Sequence, residues 1–96
     1  MTLFDAFRQI SMFPADGIIF AERIRGFFQP ESPCVVLVLT DEQLQLPTSK
    51  LAEDLTPGFE YFIEVDIALD FAQSASTPAQ AGDALDGLIN YAENDA

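Results

Sequence analysis

No basic residue falls between Leu51 and Ala96, while ten carboxylates do: Glu53, Asp54, Glu60, Glu64, Asp66, Asp70, Asp83, Asp86, Glu93 and Asp95. This half supplies −10 of the formal net charge of −12; residues 1–50 bring six carboxylates against four basic residues. Charge of one sign repels itself and works against a compact state. A surface of one sign also suggests that something positively charged is meant to meet it.

The apolar material is present. Nine Phe, two Tyr and a hydrophobic fraction of 49% set the chain apart from disordered acidic tails, which are poor in aromatics. Residues 1–96 read as a single acidic α+β domain, which on folding buries roughly 60–65% of the surface of its extended chain. Cys34 stands alone between Pro33 and Val35, which excludes an intrachain disulfide and predicts a buried, inert thiol. The first basic residue is Arg8 and the longest apolar run is Cys34 to Leu39. Neither a secretory signal nor a membrane span is expected, and a reducing cytoplasm is the simplest compartment. The acidic surface argues against nucleic acid and anionic membrane as direct ligands, both being polyanions.

The pattern of elements is α-β-β-α-β-α-α. Thr2 and Asp5 are spaced as a capping box for a first helix carrying Leu3, Phe7 and Ile10 to about Met12. Phe13 to Gly17 stops it, and Ile18-Ile19-Phe20 reads as a short strand. Arg23 to Pro33, with two Pro, one Gly and an adjacent Phe pair, reads as an irregular connection. Val35 to Leu39 is a strand whose unbroken apolar run predicts cover on both faces and a central place in the sheet. A short helix follows over Thr48 to Leu55, with Pro47 in its first turn. Phe59 to Val65 alternates, with Phe59, Tyr61, Ile63 and Val65 on one side and Glu60, Phe62 and Glu64 on the other. Asp66 caps a helix reaching about Ala75 along Ile67 and Phe71, and Thr77-Pro78 opens a last helix. Ala81, Ala84, Leu85, Leu88, Ile89 and Ala92 mark its buried side. The fold class is α+β: a small, mostly antiparallel sheet of about three strands with about four helices on one face or at one end.

The candidate partner-binding residues follow from where this pattern puts the acids. Asp83, Asp86, Asn90 and Glu93 fall on one stripe of the last helix, opposite its apolar seam. Asp66 and Asp70 stand one turn apart on the helix before it, and Asp66 and Asp83 meet favourable helix-dipole ends. Glu60 and Glu64 share a strand face with Phe62 between them, which reads either as an apolar anchor for a partner or, the stronger reading, as a sheet-face Phe packed under a helix. Carboxylates spaced within a Debye length, about 8 Å at physiological salt, merge into one field, which speeds capture of a basic protein roughly 10- to 10³-fold. Two plainer readings compete: a solvated helix face, which periodicity alone predicts, and the acidic, lysine-poor surface of a salt-adapted protein, which the single lysine, Lys50, fits.

Catalysis finds no support. The chain has no His, which removes Ser-His and Cys-His nucleophiles and the commonest metal ligand. One Cys without His makes no zinc set, and neither a calcium loop nor a Gly-rich phosphate cradle occurs. No enzyme activity, cofactor or metal is expected.

Pro57-Gly58-Phe59-Glu60-Tyr61-Phe62, then Val65-Asp66-Ile67, then Leu88-Ile89-Asn90-Tyr91-Ala92-Glu93-Asn94-Asp95-Ala96 resembles a family of small bacterial immunity proteins. These belong to contact-dependent growth inhibition and related polymorphic-toxin systems. The resemblance covers about the last 40 residues and departs from the family at Ala92, where an aromatic is usual. It implies a cytoplasmic protein that binds a cognate toxin domain, often a nuclease with a basic substrate cleft, and blocks it. It assigns no role to any single residue.

Charge and resemblance together favour an immunity or inhibitor protein that neutralises a basic toxin domain by electrostatically complementary occlusion. The alternative is a nucleic-acid mimic directed at a host defence or DNA-binding protein, of anti-restriction or anti-CRISPR type. A third class is an acidic adaptor within a larger assembly.

Overall fold

In a computed structural model, which describes residues 1–74 and 78–94, the Thr2 side chain accepts the Asp5 N–H at 3.1 Å while the Asp5 carboxylate accepts the Thr2 N–H. This capping box starts α1 (Leu3–Arg8), and a 3-10 turn at Ile10–Met12 takes up the rest of the expected first helix. The Thr2 N–H, the largest cause, also holds the Asp5 carboxyl below its ordinary value. β1 (Ile18–Ala21) and β2 (Cys34–Leu37) pair antiparallel, and β3 (Glu60–Glu64) pairs antiparallel with the other side of β1. Between them lie α2 (Asp41–Leu44) and α3 (Thr48–Leu55); α4 (Val65–Gln73) and α5 (Pro78–Asn94) follow. The α+β class and the antiparallel sheet are as the sequence pattern requires, with α2 as an additional helix. The helix end at Ala75, the cap at Thr77, the side chain of Ala81 and the carboxylate of Asp95 lie outside the described residues.

The strand order is β2-β1-β3, which corrects the central placement of Val35 to Leu39. Ile18 to Ala21 forms the middle strand and is buried along its whole length, whereas β2 is an edge. β2 is nonetheless covered on both faces. Cys34 and Val36 pack into one apolar cluster, and Val35 and Leu37 into a second.

These two clusters lie on opposite faces of the sheet, so helices cover both faces rather than one. Ile19 and Ala21 face a core made with α1, α4 and α5, including Leu3, Phe7, Ala68, Leu85, Leu88 and Ala92. Ile18 and Phe20 face Leu39, with Leu51 and Ala52 of α3. Asp66 is not the cap of α4: β3 runs directly into the helix, Glu64 occupies the N-cap position, and the Val65 N–H donates to Gly17 O at 3.0 Å. The connection from Glu22 to Pro33 is irregular, as expected. Within it, Ile24 and Phe27 bridge around Arg25 (φ 56°) and Gly26 (φ 88°), two left-handed residues in sequence, the pattern of a type I′ turn.

Candidate partner-binding surface

A β-bulge decides which acidic side chains can act together. β1 pairs Ile19 with Ile63 but Phe20 with Tyr61, leaving Phe62 as an extra residue in β3. Phe62 and Ile63 then both enter the α1/α4/α5 core, while Phe59 and Tyr61 pack on the α3 side. The strict alternation expected over Phe59 to Val65 is broken, and two assignments fall with it. Phe62 is no surface anchor: it is 1% exposed and packs edge-to-face on Phe28, ring centroids 4.9 Å apart. Glu60 and Glu64 do not share a face, since Glu60 is opposite Ala21 and Glu64 opposite Ile18, residues that serve the two different cores.

Glu60 is drawn instead to Arg23. Its Oε2 accepts from Arg23 Nε at 3.0 Å, and Arg23 Nη1 donates to Glu93 Oε1 and to Gly26 O. The guanidinium lies over the Phe28 ring, 4.2 Å from its centroid. Glu93, expected on the open stripe of α5, is thus half-buried and engaged. Its poor position near a helix C-terminus is offset by the arginine. Nothing in the sequence around Arg23 announces its pairing with these two distant carboxylates. The adjacent Phe pair also divides, Phe28 entering the core and Phe27 remaining 62% exposed.

The remaining candidates keep their places. Asp66 in the first turn of α4 and Asp70 one turn later are exposed, as are Asp83, Asp86 and Asn90 on α5. Asp83 lies beyond the first turn of α5, which holds no acid, so the expected dipole contribution there is lost. α4 and α5 pack on each other, Phe71 meeting Tyr91 with centroids 5.8 Å apart, and both bury their apolar sides in the same core. Asp66, Asp70, Asp83 and Asp86 are thus exposed carboxylates on two helices packed against each other. Among the described residues, ion pairs form at Arg23 and none reaches Asp66, Asp70, Asp83 or Asp86.

Glu64 continues this acidity round the end of the sheet. With Asp16 and Asp66 it lines an open cleft of about 270 Å³, walled by Ala15, Gly17, Ile18 and Leu44. Among the described residues, no group of three or more His, Cys, Asp or Glu is placed to hold a metal ion. Cys34 is buried, and desolvation pushes its thiol up to about 11, so it is a poor nucleophile. No helix of the described residues is long and apolar enough to cross a membrane. Comparison with known proteins returns no matching family model, no curated relative and no similar solved structure.

Proposed function

We propose that this chain is an inhibitor of the immunity type, which binds a basic toxin domain through the outer side of α4 and α5 and occludes its substrate face. The reading rests chiefly on the four unpaired carboxylates Asp66, Asp70, Asp83 and Asp86 on two packed helices that carry no cation. Helices fixed to a sheet present such charges without the ordering cost that a disordered acidic tail meets on binding. The field steers a basic surface toward it, and Asn90 adds a neutral hydrogen-bonding group within the stripe. A nuclease cleft is the fitting target, because it already carries the cations that hold a phosphate backbone. The resemblance of residues 57–96 to immunity proteins points the same way, and a cytoplasmic setting belongs to this proposal.

The test is the double charge reversal Asp83→Lys with Asp86→Lys, assayed by stopped-flow association with the basic domain that co-purifies from the native host. Both positions are exposed, so circular dichroism should be unchanged. Association should fall steeply with added salt and drop roughly tenfold or more in the variant. Association indifferent to both salt and reversal would leave the acidic side as ordinary solvated surface.

A further inference from the structure

The two free edges of the sheet are built differently. β3 has a bulge at Phe62 and a carboxylate at each end, Glu60 and Glu64, both of which discourage pairing with another chain. β2 has no such protection: Cys34 to Leu39 contains no charge, proline or glycine. The hydrogen bonds show which main-chain groups it leaves open. Pro33 O accepts from Glu22 on the β1 side at 2.9 Å, while the Cys34 N–H donates outward to Met1 O at 2.8 Å. By the antiparallel alternation, Val36 also turns its N–H and C=O outward, and it has no hydrogen-bond partner there among the described residues. Exposed apolar side chains flank this opening, Met1 at 52% and Val38 at 53%.

We propose that the open edge of β2 pairs, antiparallel and about a two-fold axis, with the same edge of a second copy of this chain. The two three-stranded sheets then become one continuous sheet. With the axis at Leu37 and β2 extended by one residue beyond its end at Leu37, Val36 of each copy stands opposite Val38 of the other, and the amides and carbonyls of the two residues are satisfied mutually. Such a contact is isologous and closes on itself. The Met1 segment already paired at Cys34 limits it to this short stretch. Charge argues for this edge over the other. Self-pairing of β3 would set Glu60 of one copy against Glu64 of the other, and opposed like charges destabilise. For a chain of net charge −12, a strand without charge is where self-association meets least repulsion. The outer side of α4 and α5 takes no part, so this inference stands apart from the partner proposed above.

Sedimentation velocity over a concentration series tests it. The protein should reach twice its 10.5 kDa chain mass, and added salt should strengthen the association by screening repulsion between the copies. Val38→Lys should weaken it by roughly tenfold or more, since it sets a charge on the paired edge. Hydrogen exchange on the wild-type protein supplies a readout independent of the variant: the Val36 and Val38 amides should gain protection as concentration rises. A monomer throughout the series overturns the proposal. So does a dimer in which the Val36 amide exchanges freely, because it would use another surface.

Discussion

Replacing Arg23 by Ala removes one side chain that ties together three distant segments. Glu60 lies 37 residues away and Glu93 lies 70 residues away. The Arg23–Glu60 pair, with side chains 33% and 58% exposed, is well solvated and contributes about 0.2–1 kcal/mol. Glu93 is only 16% exposed, so its charge-assisted hydrogen bond contributes about 1.5–3 kcal/mol. The guanidinium over Phe28 adds about 0.5–1 kcal/mol. These contacts share one group and are not additive, so Arg23→Ala should cost about 2–4 kcal/mol. For a domain of this size that lowers the melting temperature by roughly 10–20 °C. Urea denaturation of wild type, Arg23→Ala, Glu93→Gln and the double variant gives the coupling directly, with about 1–2 kcal/mol expected between Arg23 and Glu93. Arg23→Met, which keeps a stem over the ring without charge, should recover only the smaller, apolar part. A cost below about 0.5 kcal/mol, or a coupling near zero, would refute the role given to this arginine.

Two further outcomes follow from local geometry. Gly17→Ala would place a Cβ 3.1 Å from Pro14 O, 3.2 Å from Val36 Cγ1 and 3.3 Å from Val65 Cγ2, and should cost about 1–3 kcal/mol in urea denaturation because backbone cannot yield as a side-chain tip does; an unchanged midpoint would refute this. Asp5→Ala should lower the urea midpoint near neutral pH. The folded carboxyl is held below its ordinary 3.8, so its stabilisation is complete above that value and is lost as the pH falls through the lower folded one; a gap from wild type that persists in strong acid would contradict the assignment.

Local signals in the sequence determine structure where they act over a few residues. Thr2 and Asp5 cap α1, the Thr48–Leu55 helix has its expected bounds with Pro47 at the cap, and Leu85, Leu88 and Ala92 are buried on α5. The same kind of signal was present for α2: Thr40 and Gln43 form a capping box with both hydrogen bonds made, Gln43 N–H to Thr40 Oγ1 at 3.2 Å and Thr40 N–H to Gln43 Oε1 at 2.9 Å. The bulge left a fainter mark in Phe62-Ile63, two adjacent apolar residues within an alternating strand. What could not be read was pairing at a distance. An unbroken apolar run reports cover on both faces but not a position within a sheet, and β2 has the first without being central. Nor does anything beside Arg23 in sequence point to Glu60 or Glu93, yet this one side chain ion-pairs two of the nine candidate residues, burying most of Glu93 and leaving Glu60 exposed.

The division of the carboxylates explains how so acidic a chain holds a fold while keeping a charged face. Where α5 ends against the sheet, Glu60 and Glu93 approach each other, and their repulsion would fall on packed structure; Arg23 is placed there. Around the exposed Asp66, Asp70, Asp83 and Asp86 of α4 and α5, repulsion is weakened by water and salt, and among the described residues no cation is paired with them. A cation among those four would steady the monomer and weaken the field by the same charge. A basic partner reverses the sign of the effect, because attraction to it replaces repulsion within the layer, and anything that binds only the folded chain also stabilises it. Repulsion among these four carboxylates and the attraction they would offer a basic partner are thus one quantity, set by side chains that the sequence itself leaves without neighbours of opposite sign.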